Sequence, residues 1–178
     1  PLVIEQILSI AVGAADTMMV SSAGEAAVSA VSLVDNVFVL LINLFAALAT
    51  GGAVISGQYL GRKRPDVAQK AAEQLILFTA IFSVLIMALT YFFRSFILNV
   101  VFGKIEADVM SGCTTYLMIV AASIPFIALY NTGAALFRAM GDSRTAMFTA
   151  LFMNGINLVG NSILIFGLKM GVAGAAIP

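Results

Sequence analysis

The sequence contains no histidine, no tryptophan and one cysteine among 178 residues, and only 10% of it is charged. Each shortage removes a class of function. Without histidine there is no imidazole zinc site, no imidazole general base and no Ser-His-Asp triad. A single cysteine, Cys113, cannot form an internal disulfide and reads as a small apolar packing residue. A soluble domain normally carries about a quarter charged residues, so 10% charge with 61% hydrophobic residues excludes one. Nine Lys+Arg balance nine Asp+Glu, which leaves no basic face to neutralise phosphates and argues against a nucleic-acid partner.

What the chain has instead is long uncharged apolar runs. No charged residue occurs from Asn36 to Gly61, Gln74 to Phe93, Val109 to Phe137 or Thr145 to Leu168. A helix rising about 1.5 Å per residue crosses a hydrocarbon core of about 30 Å in about 20 residues, so each run is long enough to span a bilayer. A further stretch, Leu2 to Val20, is apolar apart from Glu5, Gln6, Ser9, Asp16 and Thr17. The expected spans are 2–20, 28–57, 71–93, 112–137 and 146–166, with a sixth starting at 171–178. All are expected to be helices, because backbone facing lipid must satisfy its own hydrogen bonds and the runs do not alternate as barrel strands would. Short connections make consecutive helices antiparallel neighbours, so the fold class is an all-α polytopic membrane helix bundle. The chain starts at Pro1 rather than Met and stops at Pro178 as the sixth run begins, so it is expected to be a piece of a longer protein, without a cleaved signal peptide.

Loop charge orients the bundle. Arg62, Lys63, Arg64 and Lys70 lie between the second and third spans, and Arg138 and Arg144 between the fourth and fifth. The opposite face receives Arg94, Lys104 and Lys169, partly offset by Glu106 and Asp108, while the first turn carries only Glu25. The positive-inside rule places the richer loops, and with them the N-terminus, in the cytoplasm of a plasma-membrane protein. Helix punctuation fits: Gly61 is expected to end the second span, Pro65 and Asp66 suit the first turn of the next, and after Gly141 either Asp142 or Ser143 can cap the fifth.

Polar residues inside the spans carry the functional information. A charged carboxylate at mid-membrane costs about 2.5–3.5 kcal/mol on insertion scales, so Asp16 should face the bundle interior or water. At 100° per residue, Glu5, Ser9 and Asp16 fall within roughly 40° of one another. Asp16 could carry a proton, hold a sodium ion among other oxygens, or be a hydrated residue near the helix end. Asn154, Asn157 and Asn161 fall within roughly 60° on the fifth span, where amides can either ligate a cation through oxygen or tie helices together. Asn36 and Asn43, with Asp35 beside them, form a similar row on the second span. Asn36, Asn43, Asn154 and Tyr130 are candidate cavity-lining residues. Pro125, deep in the fourth span, removes the backbone bond to the Ala121 carbonyl and is expected to kink it.

Several segments in fixed order resemble the multidrug and toxic compound extrusion (MATE) transporters. They are Ala15-Asp16-Thr17-Met18-Met19-Val20, Ala27-Val28-Ser29-Ala30-Val31-Ser32, Gly51-Gly52-Ala53 with Gly57-Gln58-Tyr59-Leu60-Gly61-Arg62-Lys63, Leu136-Phe137-Arg138-Ala139-Met140-Gly141-Asp142-Ser143, Asn157 through Gly167, and Gly171-Val172-Ala173-Gly174-Ala175-Ala176. The resemblance implies a twelve-helix cation-coupled exporter of two six-helix lobes, of which residues 1–178 are most of the N-terminal lobe. It implies that Pro1 is the proline that bends the first helix, that Asp16 is the acid of the N-lobe cation site, and that Asn157 and Asn161 are the polar pair facing it. One branch of the family has an acid at the position of Asn161, so its amide leaves the coupling ion, proton or sodium, open.

The expected activity is antiport of amphipathic organic compounds against that cation by alternating access, with no enzymatic step and no cofactor beyond the coupling ion. Any metal would be sodium at Asp16. Expected partners are the small-molecule substrate, the cation, membrane lipid and the C-terminal lobe of the same chain. A lipid-linked oligosaccharide flippase of the same superfamily is the nearest alternative, although such proteins place basic residues in the cavity and here every Lys and Arg sits at a helix end or loop. An intramembrane enzyme would need a cluster of catalytic groups that the sequence does not offer.

Overall fold

The computed structural model describes residues 2–103 and 105–178. Pro1 and Lys104 lie outside the described residues, as does the side chain of Glu5, so the roles expected of Pro1 in bending the first helix, of Glu5 in the polar stripe and of Lys104 in the loop charge are not addressed. The described residues form helices α1 (Leu2–Ser21), α2 (Glu25–Gly61), α3 (Pro65–Phe92), a short α4 (Arg94–Phe96), α5 (Ala107–Ala139), α6 (Ser143–Asn161) and α7 (Val172–Ala176). Two π-helical segments interrupt this series, Ile97–Val101 after α4 and Ser162–Gly167 continuing α6. Four helices, Glu25–Gly61, Pro65–Phe92, Ala107–Ala139 and Ser143–Gly167, are long and apolar enough to cross a membrane, while α1 contributes the shorter apolar run Gln6–Ser21. Pro125 lies inside α5, which continues through it to Ala139.

The outside of this bundle is as apolar as its inside. Phe92, Phe126 and Phe152 are 82%, 74% and 70% exposed, an arrangement that water would punish and lipid accepts. In lipid, apolar surface gains little from leaving its surroundings, so helices associate through close packing and interhelical hydrogen bonds. The seam between α2 and α5 is built that way. Ala30, Val34, Phe38 and Phe45 of α2 pack on Cys113, Leu117, Ala121, Ile124 and Ala128 of α5, small residues alternating with large ones. Opposite Ala30, a Cβ on Gly112 would lie 2.9 Å from the Ala30 Cβ, so only glycine fits there. Cys113 is fully buried in this seam, with its thiol 3.7 Å from the Ala30 carbonyl oxygen, as expected of a packing residue. Hydroxyls supply the ties. Ser56 donates to the Ala68 carbonyl at 2.9 Å, Tyr91 to the Met118 carbonyl at 2.7 Å, and Thr132 to Thr79 at 3.2 Å, each worth about 0.6 kcal/mol in a membrane interior.

The helix ends show how the turns are made. α5 closes with Gly141 N–H donating to Arg138 and Asp142 N–H to Phe137, and Gly141 takes φ 86°. α2 closes with the same pair of bonds, Lys63 to Leu60 and Arg64 to Tyr59, but the residue in the left-handed conformation is Lys63 at φ 56°. Gly61 ends the second span as expected, being the last residue of α2, while the left-handed reversal falls two positions later. A left-handed conformation costs an ordinary L-residue about 1–2 kcal/mol, so Lys63→Gly should raise stability by about 1 kcal/mol while Gly141→Ala lowers it by a similar amount. No atom lies within 4 Å of a Cβ placed on Gly141, so that cost is conformational rather than steric. Thermal unfolding of the two purified variants in detergent should therefore shift in opposite directions.

The start of α6 follows the sequence reading. Asp142 is its N-cap, accepting from the Thr145 hydroxyl at 2.6 Å and the Thr145 backbone N–H at 3.1 Å. These two bonds, the hydroxyl first, hold the exposed Asp142 carboxyl below its usual value of 3.8.

Candidate cation site

Asp16 sits five residues before the end of α1, about 7.5 Å along the helix axis from its last residue. The two helices that meet there, α1 and α6, bring the sequence-predicted trio together. Asn161 Nδ2 donates to Asp16 Oδ1 at 2.7 Å. The Asn157 amide turns its nitrogen to the same carboxyl, donating to Asp16 Oδ1 at 3.2 Å and Oδ2 at 3.0 Å, so both amides of α6 hold Asp16.

Asn161 is only 1% exposed, and its Oδ1 has no hydrogen-bond partner among the described residues. Leaving a buried amide oxygen unsatisfied costs about 1–3 kcal/mol, so this atom is poised for a ligand. Asn161 lines a cavity of about 180 Å³ together with Asp16, Thr17, Ser32, Asp35, Tyr116 and Asn157. Among the described residues, no lysine or arginine lines it. At about 30 Å³ per water, the cavity holds a handful of waters or a partly hydrated ion, and it is well below the 300–1,000 Å³ typical of drug-sized ligands. Its polar lining is oxygen-rich, with hydroxyl, carboxylate and amide groups, the set preferred by hard cations.

The other candidates fall elsewhere. Asn154 and Tyr130 line a separate cavity of about 220 Å³ with Gln6 and Ser9, so the polar stripe of α1 divides, Ser9 going toward Asn154 and Asp16 toward Asn157 and Asn161. Asn36 and Asn43 are exposed on α2 and lie outside the cavity around Asp16. Sequence reading missed Tyr116, whose hydroxyl donates to Asp35 Oδ1 at 3.0 Å and ties α5 to α2 inside the Asp16 cavity. The available signal was the charge of Asp35 in an apolar helix; nothing in the sequence marks Tyr116.

Helices of bilayer length, apolar outside and enclosing a small acidic, amide-lined cavity, define an integral membrane helix bundle with a buried polar site. The family model described as MatE matches residues 1–163, and the chain belongs to the MATE family of membrane transporters. It is 32% identical to the "Uncharacterized transporter YisQ" of Bacillus subtilis (strain 168), covering 99% of this chain and 39% of that relative. To the "Multidrug export protein MepA" of Staphylococcus haemolyticus (strain JCSC1435) it is 27% identical, covering 84% and 33%. Among solved structures, "Crystal structure of MATE in complex with MaL6" superposes with a TM-score of 0.92 at 25% identity, covering 97% of this chain and 38% of that one. The chain thus spans about two fifths or less of the length of these relatives.

Proposed function

We propose that this chain is the N-terminal lobe of a secondary antiporter that exports amphipathic, often cationic, organic compounds in exchange for protons or sodium ions. Asp16, Asn157 and Asn161 bind the coupling cation, and its occupancy biases an equilibrium between inward-open and outward-open states. The protein lies in the plasma membrane with its N-terminus and the Arg62-Lys63-Arg64 turn in the cytoplasm. The observation that carries the reading is the Asp16–Asn161–Asn157 cluster beside a small, partly open cavity sized for an ion and not for a drug. Relatives named as multidrug export proteins support the export half of it. The absence of lysine and arginine from the cavity lining weighs against a flippase that would hold an anionic lipid headgroup there.

The test uses the full-length protein in proteoliposomes loaded with ethidium. An inward proton gradient and, separately, an inward sodium gradient are imposed, and export is expected to be driven by one of them. Dye movement indifferent to both gradients would defeat the antiport reading, and transfer of lipid-linked oligosaccharide without dye movement would favour the flippase.

A further inference from the structure

The Asp16 cavity holds a second carboxylate on a different helix. Asp35 of α2 lines the same space, and its Oδ1 accepts from the Tyr116 hydroxyl of α5 at 3.0 Å. The remaining groups of the cavity leave these two acids without a positive neighbour. α1 contributes Asp16 and Thr17, α6 contributes the neutral amides Asn157 and Asn161, and α7 contributes Ala175. The titratable groups sharing the space with Asp35 are therefore Tyr116 and Asp16, and no cationic side chain faces it. Two carboxylates in one small, partly desolvated cavity repel each other, and each additional negative charge raises the cost of leaving the cavity without a counter-ion. An independent observation points to the same ligand: Asn161, which lines this cavity too, has a buried Oδ1 with no partner among the described residues.

We propose that Asp35 is a second cation-binding residue of this site, acting with Asp16 on one monovalent cation. This rests on the cation-coupled reading given above. The two acids carry different donors. Asp16 is held by amide nitrogens of α6, whereas Asp35 is held by the Tyr116 phenol of α5. Cation entry between the carboxylates competes with the Tyr116 hydroxyl for Asp35. The competition runs along the contact joining α2 to α5, so loading at α1 and α6 is felt across the bundle.

Half-saturating cation for gradient-driven ethidium export is the measurement, made in proteoliposomes of the full-length protein by varying sodium at fixed pH and, in sodium-free medium, by varying pH. Equilibrium binding of radioactive sodium ion alone, in detergent and without dye, gives a second readout. Asp35→Asn keeps an oxygen for the Tyr116 hydroxyl but removes the charge, and it should raise half-saturating sodium about tenfold, or move the pH midpoint about one unit toward acid. Tyr116→Phe removes the competing donor and leaves the carboxylate, so it should shift the same quantity the other way, by about threefold or more. A merely structural tie predicts no shift for Asp35→Asn and no opposite sign for Tyr116→Phe. Wild-type cation dependence in Asp35→Asn overturns the proposal. Should that variant fail to fold, a Tyr116→Phe protein with unchanged or weakened cation affinity overturns it equally. If the unmutated protein responds to neither sodium nor protons, the cation-coupled reading itself fails; if Asp16→Asn changes the response and Asp35→Asn does not, only the role of Asp35 does.

Discussion

Asp16→Asn in the full-length protein is expected to bring gradient-driven export down to the level of protein-free vesicles while the protein still inserts and purifies in normal amount. The substitution is nearly isosteric, and an amide oxygen at Oδ1 can still accept from Asn161 Nδ2, which lies 2.7 Å away. What disappears is the group that can exchange a proton or balance a sodium ion. Removing charge from a membrane helix costs nothing on insertion, since an aspartate at mid-span is itself unfavourable by about 2.5–3.5 kcal/mol. Asn157→Ala and Asn161→Ala should reduce export less, because each deletes a neutral ligand and leaves the carboxylate in place. Asn161→Asp is informative in the other direction: a carboxylate at that position would stand within hydrogen-bonding distance of Asp16, so the pair must hold a proton or a cation between them. Export by Asp16→Asn at the unmutated rate would remove Asp16 from the coupling mechanism.

The largest expected loss of stability is at Ala30. It is fully buried where α2 crosses α5, facing Gly112 so closely that one added methyl on that glycine would stand 2.9 Å from it. Ala30→Leu adds three carbons to a contact with no free space, and overpacking of this kind costs about 1–3 kcal/mol even where side chains can move aside. Here the neighbours are the backbone of α5 and the buried Cys113, and neither can yield without parting the helices. The expected result is a lower unfolding temperature and a smaller monodisperse fraction on gel filtration. Val39→Leu on the same helix, at a position 52% exposed, should leave both unchanged.

These two sites also show how far the sequence could be read. Four bilayer-length helices follow from the uncharged runs, because the requirement that lipid places on the backbone leaves few alternatives. The convergence of Asp16 with Asn157 and Asn161 was legible for a related reason. A carboxylate in an apolar helix must find polar company, and helical spacing put both amides on one face of α6. The Asp35–Tyr116 contact was not legible. It spans 81 residues and depends on the crossing of α2 with α5, which is set by the small residues of their seam rather than by any polar pattern. The row of Asn36 and Asn43 shows the converse: helical spacing says that two residues share a face, and says nothing about which neighbour that face meets. The left-handed Lys63 was hidden because lysine gives no turn signal, although Gly61 two positions earlier marked the end of the helix.

The π-helical stretch after Asn161 has a geometric consequence for everything beyond it. Through the π-helical turn the N–H groups reach back five residues rather than four, as in the 3.0 Å bond from Leu168 to Ile163 that closes it. A turn of this kind is wider than an α-helical one, so the side chains within the stretch point in other directions than an unbroken α-helix would give them. α7 docks onto that rotated stretch, with a Cβ on Gly174 meeting the Leu164 backbone at 3.1 Å. The turn from Leu168 to Gly171, with Lys169 and Gly171 both at positive φ, folds α7 back onto this stretch, and a side chain at position 174 would part the two backbones.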